Sequence, residues 1–207
     1  GFRSEAATGR FAVLWFSAFA TRLQNALTQE SHRFLAADVV VRGGRELPTA
    51  WLEQAREQGI REALTLAFPS MVQAGEEAMQ LASVKAVSAG YPLRGELTFS
   101  AQPFGPVLPA GAGPGRGEVW LESRLFALLD VAIGDTVAIG EASFTVAAAA
   151  RTEPDQAATF SGYGPRVLMH FDDIPATKVV QPGSRVEHRQ LFAAPEAALE
   201  EFRQWLQ

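Results

Sequence analysis

Apolar and polar positions divide the chain into two helical ends and a strand-rich interior. Phe11-Ala-Val-Leu-Trp-Phe-Ser-Ala-Phe-Ala20 is an apolar run bounded by Arg10 and Arg22. From Thr21 on, Leu23, Ala26, Leu27, Phe34 and Leu35 alternate with Arg22, Gln24, Gln29, Glu30 and Arg33. This spacing predicts one helix over 11–35, apolar all round at first and amphipathic later. Such a helix is a rod of about 37 Å. It reads either as a surface helix whose first turns pack in the core, or as the tail of a membrane helix continuing into a stalk. At the other end Pro195 and Glu196 suit a first helical turn, and Leu199, Phe202, Trp205 and Leu206 form one apolar stripe. No Gly or Asn caps that helix. Two uncapped terminal helices are the pattern expected of a domain lying between two longer helices.

The interior alternates with the period of strands. Strands are expected at Ala37–Arg42, Leu64–Val72, Met79–Val87 and Leu93–Ser100, with a helix over Pro48–Ile60. Gln102–Gly117 holds four Pro and five Gly in sixteen residues and reads as a loop without secondary structure. Beyond it come a strand at Glu118–Leu121 and a helix at Ser123–Leu129 with Ser123 as N-cap. Strands at Thr136–Ile139, Ala142–Ala148, Val167–Phe171 and Arg185–Phe192 follow, with a single helical turn at Ile174–Thr177 that Asp172 or Asp173 would cap. Many short strands against three substantial helices predict an α+β fold. The Pro/Gly loop marks the boundary between an outer lobe and an inserted β-rich one.

Composition narrows the function classes. The chain has 207 residues, 47% hydrophobic and 20% charged, with a net charge of −5, a balance that disfavours a binder of phosphate backbones. Cysteine is absent, which removes thiolate catalysis, cysteine-ligated metals and disulfides together. The glycine-rich stretch Gly111-Ala-Gly-Pro-Gly-Arg-Gly117 lacks a following GK[ST], precedes a strand, and loses an amide donor at Pro114, so it is no phosphate loop. His170 with Asp172, Asp173 and the Glu187-His188 pair offers metal-ligand chemistry, but strand alternation points Glu187 and His188 to opposite faces. His32 stands apart in the N-terminal helix. Phe160-Ser-Gly-Tyr-Gly164 lacks the leading glycine of a nucleophile elbow, and Ser70 sits inside a strand pattern. Glu153-Pro154-Asp155 is a paired carboxylate, a spacing that equally signals a turn. No catalytic, cofactor or metal-binding residue is assigned, and the chain reads as a non-enzyme. Trp15, Trp51, Trp120 and Trp205 with fourteen Phe supply core and are compatible with a groove for lipid or a partner helix whose position the sequence does not give. A stand-alone binding module for an apolar ligand or a lipid-processing partner is the alternative from a different class. A hydrolase using Ser70 and His170 is a third.

Longer stretches carry a resemblance. Leu35-Ala-Ala-Asp-Val-Val-Val-Arg42, Phe68-Pro-Ser-Met-Val72 and Val84-Lys-Ala-Val-Ser-Ala-Gly-Tyr-Pro-Leu-Arg-Gly95 are followed in order by Gly117-Glu-Val-Trp120, Leu129–Asp135, Arg151-Thr-Glu-Pro-Asp155, Pro165-Arg-Val-Leu-Met169 and Gln181-Pro-Gly-Ser-Arg185. The set resembles the extracytoplasmic (periplasmic) core domain of MacB/FtsX-type ABC transporter permeases, and within them the YbbP-like branch. It implies a two-lobed α+β core domain flanked by stalk helices. The division would be an N-terminal stalk helix at 1–34, a discontinuous α+β lobe at 35–116 and 173–207, and an inserted β-rich lobe at 117–172. It further implies a bacterial inner-membrane protein with this domain in the periplasm, between the first two transmembrane helices. The partners would be a cytosolic ABC ATPase subunit, a hydrophobic or lipid-like substrate and a periplasmic protein. No cofactor is expected in this fragment, because ATP would be used by the partner subunit. The motifs themselves read as backbone and packing motifs, with Tyr91-Pro92-Leu93-Arg94 a turn leading into a strand.

Overall fold

The computed structural model describes residues 36–43, 49–155, 164–181, 183–184 and 186–205. The expected helix over 11–35, with His32 and Trp15, lies outside them, as do residues 160–163 of the Phe160–Gly164 stretch. Among the described residues no helix is long and apolar enough to cross a membrane.

The chain runs β1 (Val39–Gly43), α1 (Thr49–Glu57), β2 (Arg61–Ala74), β3 (Ala78–Val87), β4 (Leu97–Ser100), β5 (Leu108–Ala110), β6 (Glu118–Glu122), α2 (Ser123–Leu129), β7 (Thr136–Ile139), β8 (Ala142–Thr152), β9 (Arg166–His170), a 3-10 turn (Phe171–Asp173), α3 (Ile174–Thr177), β10 (Glu187–Ala193) and α4 (Glu196–Trp205). The fold is α+β, as the sequence pattern predicts. The strands hydrogen-bond in the order β1-β10-β2-β3-β9-β6-β8-β4-β5. Strand β7 pairs with both β2 and β8, so β2, β3, β9, β6, β8 and β7 close into a ring.

The ring exists because its strands alternate. Phe68 and Val72 of β2, Val84 of β3, Val167 and Met169 of β9, Val119 and Leu121 of β6, Val146 and Phe144 of β8, and Val137 and Ile139 of β7 belong to one buried cluster. The register places Val84 opposite Phe68, Val167 opposite Val84, Leu121 opposite Val167, Val146 opposite Val119 and Phe144 opposite Val137. Leu125, Phe126 and Leu129 of α2 complete the same cluster. Each of these side chains contributes about 1.5–3 kcal/mol on burial. Closure needs a bend, and β8 supplies it with a bulge. Val119 faces Val146 but Trp120 faces Ala148, leaving Ala147 as the extra residue. The alanine run Ala147–Ala150 follows from this position. Ala149 packs into the ring while Ala148 and Ala150 pack into a second cluster with Tyr91, Leu97, Trp120 and Leu168, so both faces of β8 are covered closely.

Pro69 is tolerated inside β2 because the strand changes partner there. Ala67 is the last residue paired to β10 and Val72 the first paired to β7. A third cluster joins Phe192 of β10 to α4, with the Phe192 and Phe202 rings 5.0 Å apart, and takes in Ala55 of α1.

Several local expectations are corrected. The Gln102–Gly117 stretch is not without secondary structure, for Leu108–Ala110 forms β5 against β4. Its backbone groups pair with β4 once the chain folds back, a contact that composition does not encode. Strand β4 begins at Leu97 rather than Leu93, because Leu93 and Arg94 donate their amides to the carbonyl of Ala36 instead of to a strand. Ser123 does not cap α2: the cap position is Glu122, and the Ser123 hydroxyl donates to the carbonyl of Pro103. Neither Asp172 nor Asp173 caps by its side chain. The 3-10 turn is capped by His170, whose Nδ1 accepts from the Asp172 amide at 3.2 Å, while the Asp173 carboxylate accepts from Gly117 N at 2.7 Å.

Candidate functional site: a buried charge network outside the ring

The outer face of the ring carries charge where a strand buried on both sides would be expected to carry none. Strand β3 reads Leu81-Ala-Ser-Val-Lys-Ala-Val87; Val84 and Ala86 point into the ring, so Lys85 points out of it. Lys85 is nevertheless only 4% exposed. It is covered by the segment after β3, which contributes Tyr91, and by the turn after β8, which contributes Glu153 and Asp155. The ammonium donates to Tyr91 Oη at 2.8 Å, Glu153 Oε2 at 2.9 Å and Asp155 Oδ1 at 2.5 Å, which uses all three of its protons. Tyr91 Oη donates in turn to Asp155 Oδ1 at 2.5 Å.

Two arginines extend the network along neighbouring strands. Arg166 of β9 donates from Nη1 to Glu153 Oε1 at 2.8 Å and from Nε to Glu122 Oε2 of β6 at 3.2 Å. Arg189 of β10 lies 3.6 Å from Asp155 Oδ2 and donates to Glu187 Oε1 at 2.7 Å. Cations Lys85, Arg166 and Arg189 thus meet anions Glu122, Glu153, Asp155 and Glu187, and the solvent-facing Arg124 supplies a further partner to Glu122. Burial alone would raise the Asp155 pKa, but the Lys85 charge, the hydrogen bonds from Lys85 and Tyr91, and Arg189 hold it below the usual aspartate value. Burial, with the Asp155 and Glu153 charges behind it, pushes the Tyr91 phenol well above its usual value, so it stays a neutral donor. For Glu122, burial is outweighed by hydrogen bonds from Arg124 and the Arg166 amide and by the Arg166 charge, and its pKa is lowered.

These groups are committed to one another. Lys85 has its three protons used, the Tyr91 phenol stays neutral, and the Asp155 and Glu122 carboxylates, with pKa values lowered, are not poised as bases near neutral pH. What the arrangement does is fix β3, β6, β9, β10 and two covering segments in a single register, since every alternative pairing strands a buried charge.

A second clamp ties the start of β1 to the end of β10. Asp38 accepts from Arg94 Nε at 3.0 Å and Nη2 at 2.9 Å, and its Oδ2 accepts from Ala194 N at 3.2 Å. The carbonyl of Ala36 accepts from the amides of both Leu93 and Arg94, beyond the cis Tyr91–Pro92 bond.

The residues weighed from sequence fall elsewhere. Ser70 faces Ala82 on β3, whereas His170 faces Val87, five residues further along (Ala82 to Val87), or about 16 Å. They form no dyad. His170 Nδ1 and Asp172 Oδ2 are 3.9 Å apart, and no cluster of three or more potential metal ligands exists among the described residues. Glu187 pairs with Arg189 two residues on, which places His188 on the other face of β10, as alternation requires. Two amides of the glycine-rich loop are occupied from within the chain, Gly115 N by Glu118 and Gly117 N by Asp173. Glu153-Pro154-Asp155 does form a turn, and its two carboxylates are also the anionic half of the network. The signal for this lay in the sequence: Lys85 interrupts an apolar strand, and Lys85 and Tyr91 share one motif while Glu153 and Asp155 share another.

No protein-family model matches the chain. It is 38% identical over 194 residues, 94% of its length, to the uncharacterized ABC transporter permease YbbP of Escherichia coli (strain K12). The resemblance to YbbP-like permeases therefore stands. The chain spans about a quarter (23%) of that relative's length. Among solved structures, its fold matches the extracellular domain of the noncanonic ABC-type transporter YknZ from Gram-positive bacteria. The TM-score is 0.50 at 9% identity, covering 76% of this chain and 78% of that one. The chain is thus similar in sequence to YbbP and shares the α+β fold of the YknZ extracellular domain, and each of these two proteins is described as an ABC transporter.

Proposed function

We propose that this chain is the extracytoplasmic domain of an ABC permease. In this reading it links a cytosolic ATPase subunit, through flanking membrane helices, to the handling of a hydrophobic or lipid-like substrate. The observation that carries the reading is the 38% identity to a permease over 94% of the chain. The fold supports it in a second way. Val39 of β1 pairs with Phe192 of β10, so the chain enters and leaves on adjacent antiparallel strands. Asp38 and Ala194, just outside that pair, are hydrogen-bonded, as two helices rising side by side from a membrane would require.

The domain works as a relay and holds no cofactor of its own; ATP is consumed by the partner subunit. Movement delivered at β1 and β10 reaches the ring through the β10–β2 ladder and through Arg189 and Glu187 of the network, as a rigid-body displacement. We divide the chain as a stalk at 1–34, an α+β lobe of 35–116 with 173–207, and an inserted β-rich lobe at 117–172. The inserted segment supplies β6, α2, β7, β8 and β9, and β2 and β3 of the other lobe complete its ring. Phe104, 78% exposed, and the exposed Val107 and Leu108 near it in sequence are the apolar surface this reading assigns to the substrate.

The test uses the full-length gene product, purified from membranes in mild detergent. An ATPase subunit that co-purifies and turns over ATP is the expected result. A protein recovered alone and free of membranes overturns the reading and leaves a stand-alone binding module for an apolar ligand in its place.

A further inference from the structure

The turn that leads from β4 towards β5 displays an aromatic ring. Gln102-Pro-Phe-Gly105 is a β-turn, closed by the Gly105 amide donating to the Gln102 carbonyl at 3.2 Å, with Pro103 at its second position. Phe104, at the third, is 78% exposed, the highest value for any large apolar side chain among the described residues. Loose backbone is not the cause of this display. The Pro103 carbonyl accepts from Ser123 Oγ and, at 3.3 Å, from Arg151 Nη1. A Cβ on Gly105 would sit 2.9 Å from Ser100 Oγ, so the turn is pressed against the end of β4.

Arg151 brings a cation to the same turn. It is half-buried, and its Nη1 donates to the Pro103 carbonyl and to Ser123 Oγ at 3.1 Å, both uncharged. Among the described residues no carboxylate pairs with it, whereas Lys85, Arg166 and Arg189 are each paired. Its Nε–Nη2 edge makes no hydrogen bond among those residues, and that edge of a guanidinium takes both oxygens of a carboxylate or phosphate. Ring and charge are joined through one residue. With 3.3 Å from Arg151 Nη1 to the Pro103 oxygen, standard backbone lengths place the Phe104 Cα at most about 7.5 Å from that nitrogen. From Leu97 to Gly117 the chain carries no Asp or Glu, although its net charge is −5. One ring beside one guanidinium matches a single apolar chain with a single anionic head. A protein interface draws on about 20–30 residues a side. A cationic head is repelled, and a neutral one leaves the guanidinium unused.

We propose that Phe104 and Arg151 form a binding site for an amphiphile with one anionic headgroup. Its acyl chain lies on the Phe104 ring, and its carboxylate or phosphate takes the Nε–Nη2 edge of Arg151. The site rests on the permease reading and narrows the hydrophobic or lipid-like substrate to an anionic one. The experiment uses the full-length permease in phosphatidylcholine nanodiscs, at a pH where a bilayer-bound fatty acid is ionised. It is irradiated with diazirine-bearing palmitic acid and, separately, with the matching diazirine-bearing hexadecanol, and adducts are mapped by mass spectrometry. The expected result is labelling within residues 102–108, about tenfold stronger from the acid than from the alcohol. Arg151→Gln brings the two yields within about twofold, Arg151→Lys keeps the preference because the charge remains, and Phe104→Ser lowers both yields. Excess palmitate and excess phosphatidylglycerol are then compared as competitors, and the one that displaces the probe identifies a free fatty acid or a membrane lipid as the source. Labelling elsewhere, equal labelling by acid and alcohol, a preference that survives Arg151→Gln, or displacement by neither competitor each overturns the proposal. Co-purification of the ATPase is scored in the same preparation. ATPase present without the labelling refutes the site alone; the labelling without ATPase refutes the permease reading alone.

Discussion

Replacing Lys85 with Met tests whether the buried network holds the fold. The substitution keeps length and apolar bulk but deletes the cation. Three contacts vanish together, at 2.8 Å to Tyr91, 2.9 Å to Glu153 and 2.5 Å to Asp155, all among side chains at most 5% exposed. Removing one partner of a buried ion pair costs about 3–5 kcal/mol, because the remaining charge stays desolvated. Here Arg166 still meets Glu153 and Arg189 still lies beside Asp155, so the expected loss is at the lower end, about 3 kcal/mol. With a urea m-value of about 2 kcal/mol/M, the midpoint falls by about 1.5 M at constant m. The control is Lys178→Met. Lys178 pairs with Glu141 at the same 2.5 Å, but both side chains are 64% exposed, and the cost is below about 1 kcal/mol. The double variant with Glu153→Gln recovers part of the loss, because the carboxylate that Lys85 had neutralised is gone. A Lys85→Met midpoint within 0.5 M of the parent (about 1 kcal/mol at that slope), or one matching Lys178→Met, refutes the assignment of stability to this network.

Two further predictions concern stability. Asp155 and Glu122 have lowered folded pKa values, so their contribution is complete above the unfolded values of about 4 and is lost as pH falls through the folded ones. Tyr91 has a raised folded value, so its contribution is complete below about pH 10 and is lost as pH rises through the folded value. Urea midpoints measured against pH therefore form a plateau that falls on both sides, and Tyr91→Phe removes the alkaline fall but not the acid one; an alkaline fall that survives Tyr91→Phe contradicts the assignment. Gly140→Ala and Gly75→Ala separate conformational strain from collision. Both glycines have φ near +60°, but a Cβ at Gly75 meets nothing within 4 Å, whereas at Gly140 it would collide with the Thr177 carbonyl oxygen. The expected losses are about 1 kcal/mol at Gly75 and at least about 2 kcal/mol at Gly140, read from the same urea curves, with equal losses counting against the packing of β7 and β8 on α3.

Much of this architecture is written locally. The alternation of Val167 and Met169, of Val137 and Ile139, and of Glu187 and Arg189 specified strands and faces, because a pleated backbone places successive side chains on opposite sides whatever the strand pairs with. The absence of cysteine and of any motif with its required context removed whole classes of chemistry without a structure. The ordered motifs pointed to a YbbP-like permease domain, and the comparison with YbbP bears this out. Partnership was not local. That β7 closes a ring between β2 and β8, that Leu108–Ala110 is a strand, and that Ser123 reaches Pro103 instead of capping its helix depend on segments distant in sequence. The same holds for the charges. Lys85 and Asp155 are separated by seventy positions, and from sequence each reads as an ordinary solvated group or a turn residue. Only the folded chain brings them within 2.5 Å and excludes the water, and that desolvation turns three cations and four carboxylates from surface decoration into the lock between the ring and the layer that covers it.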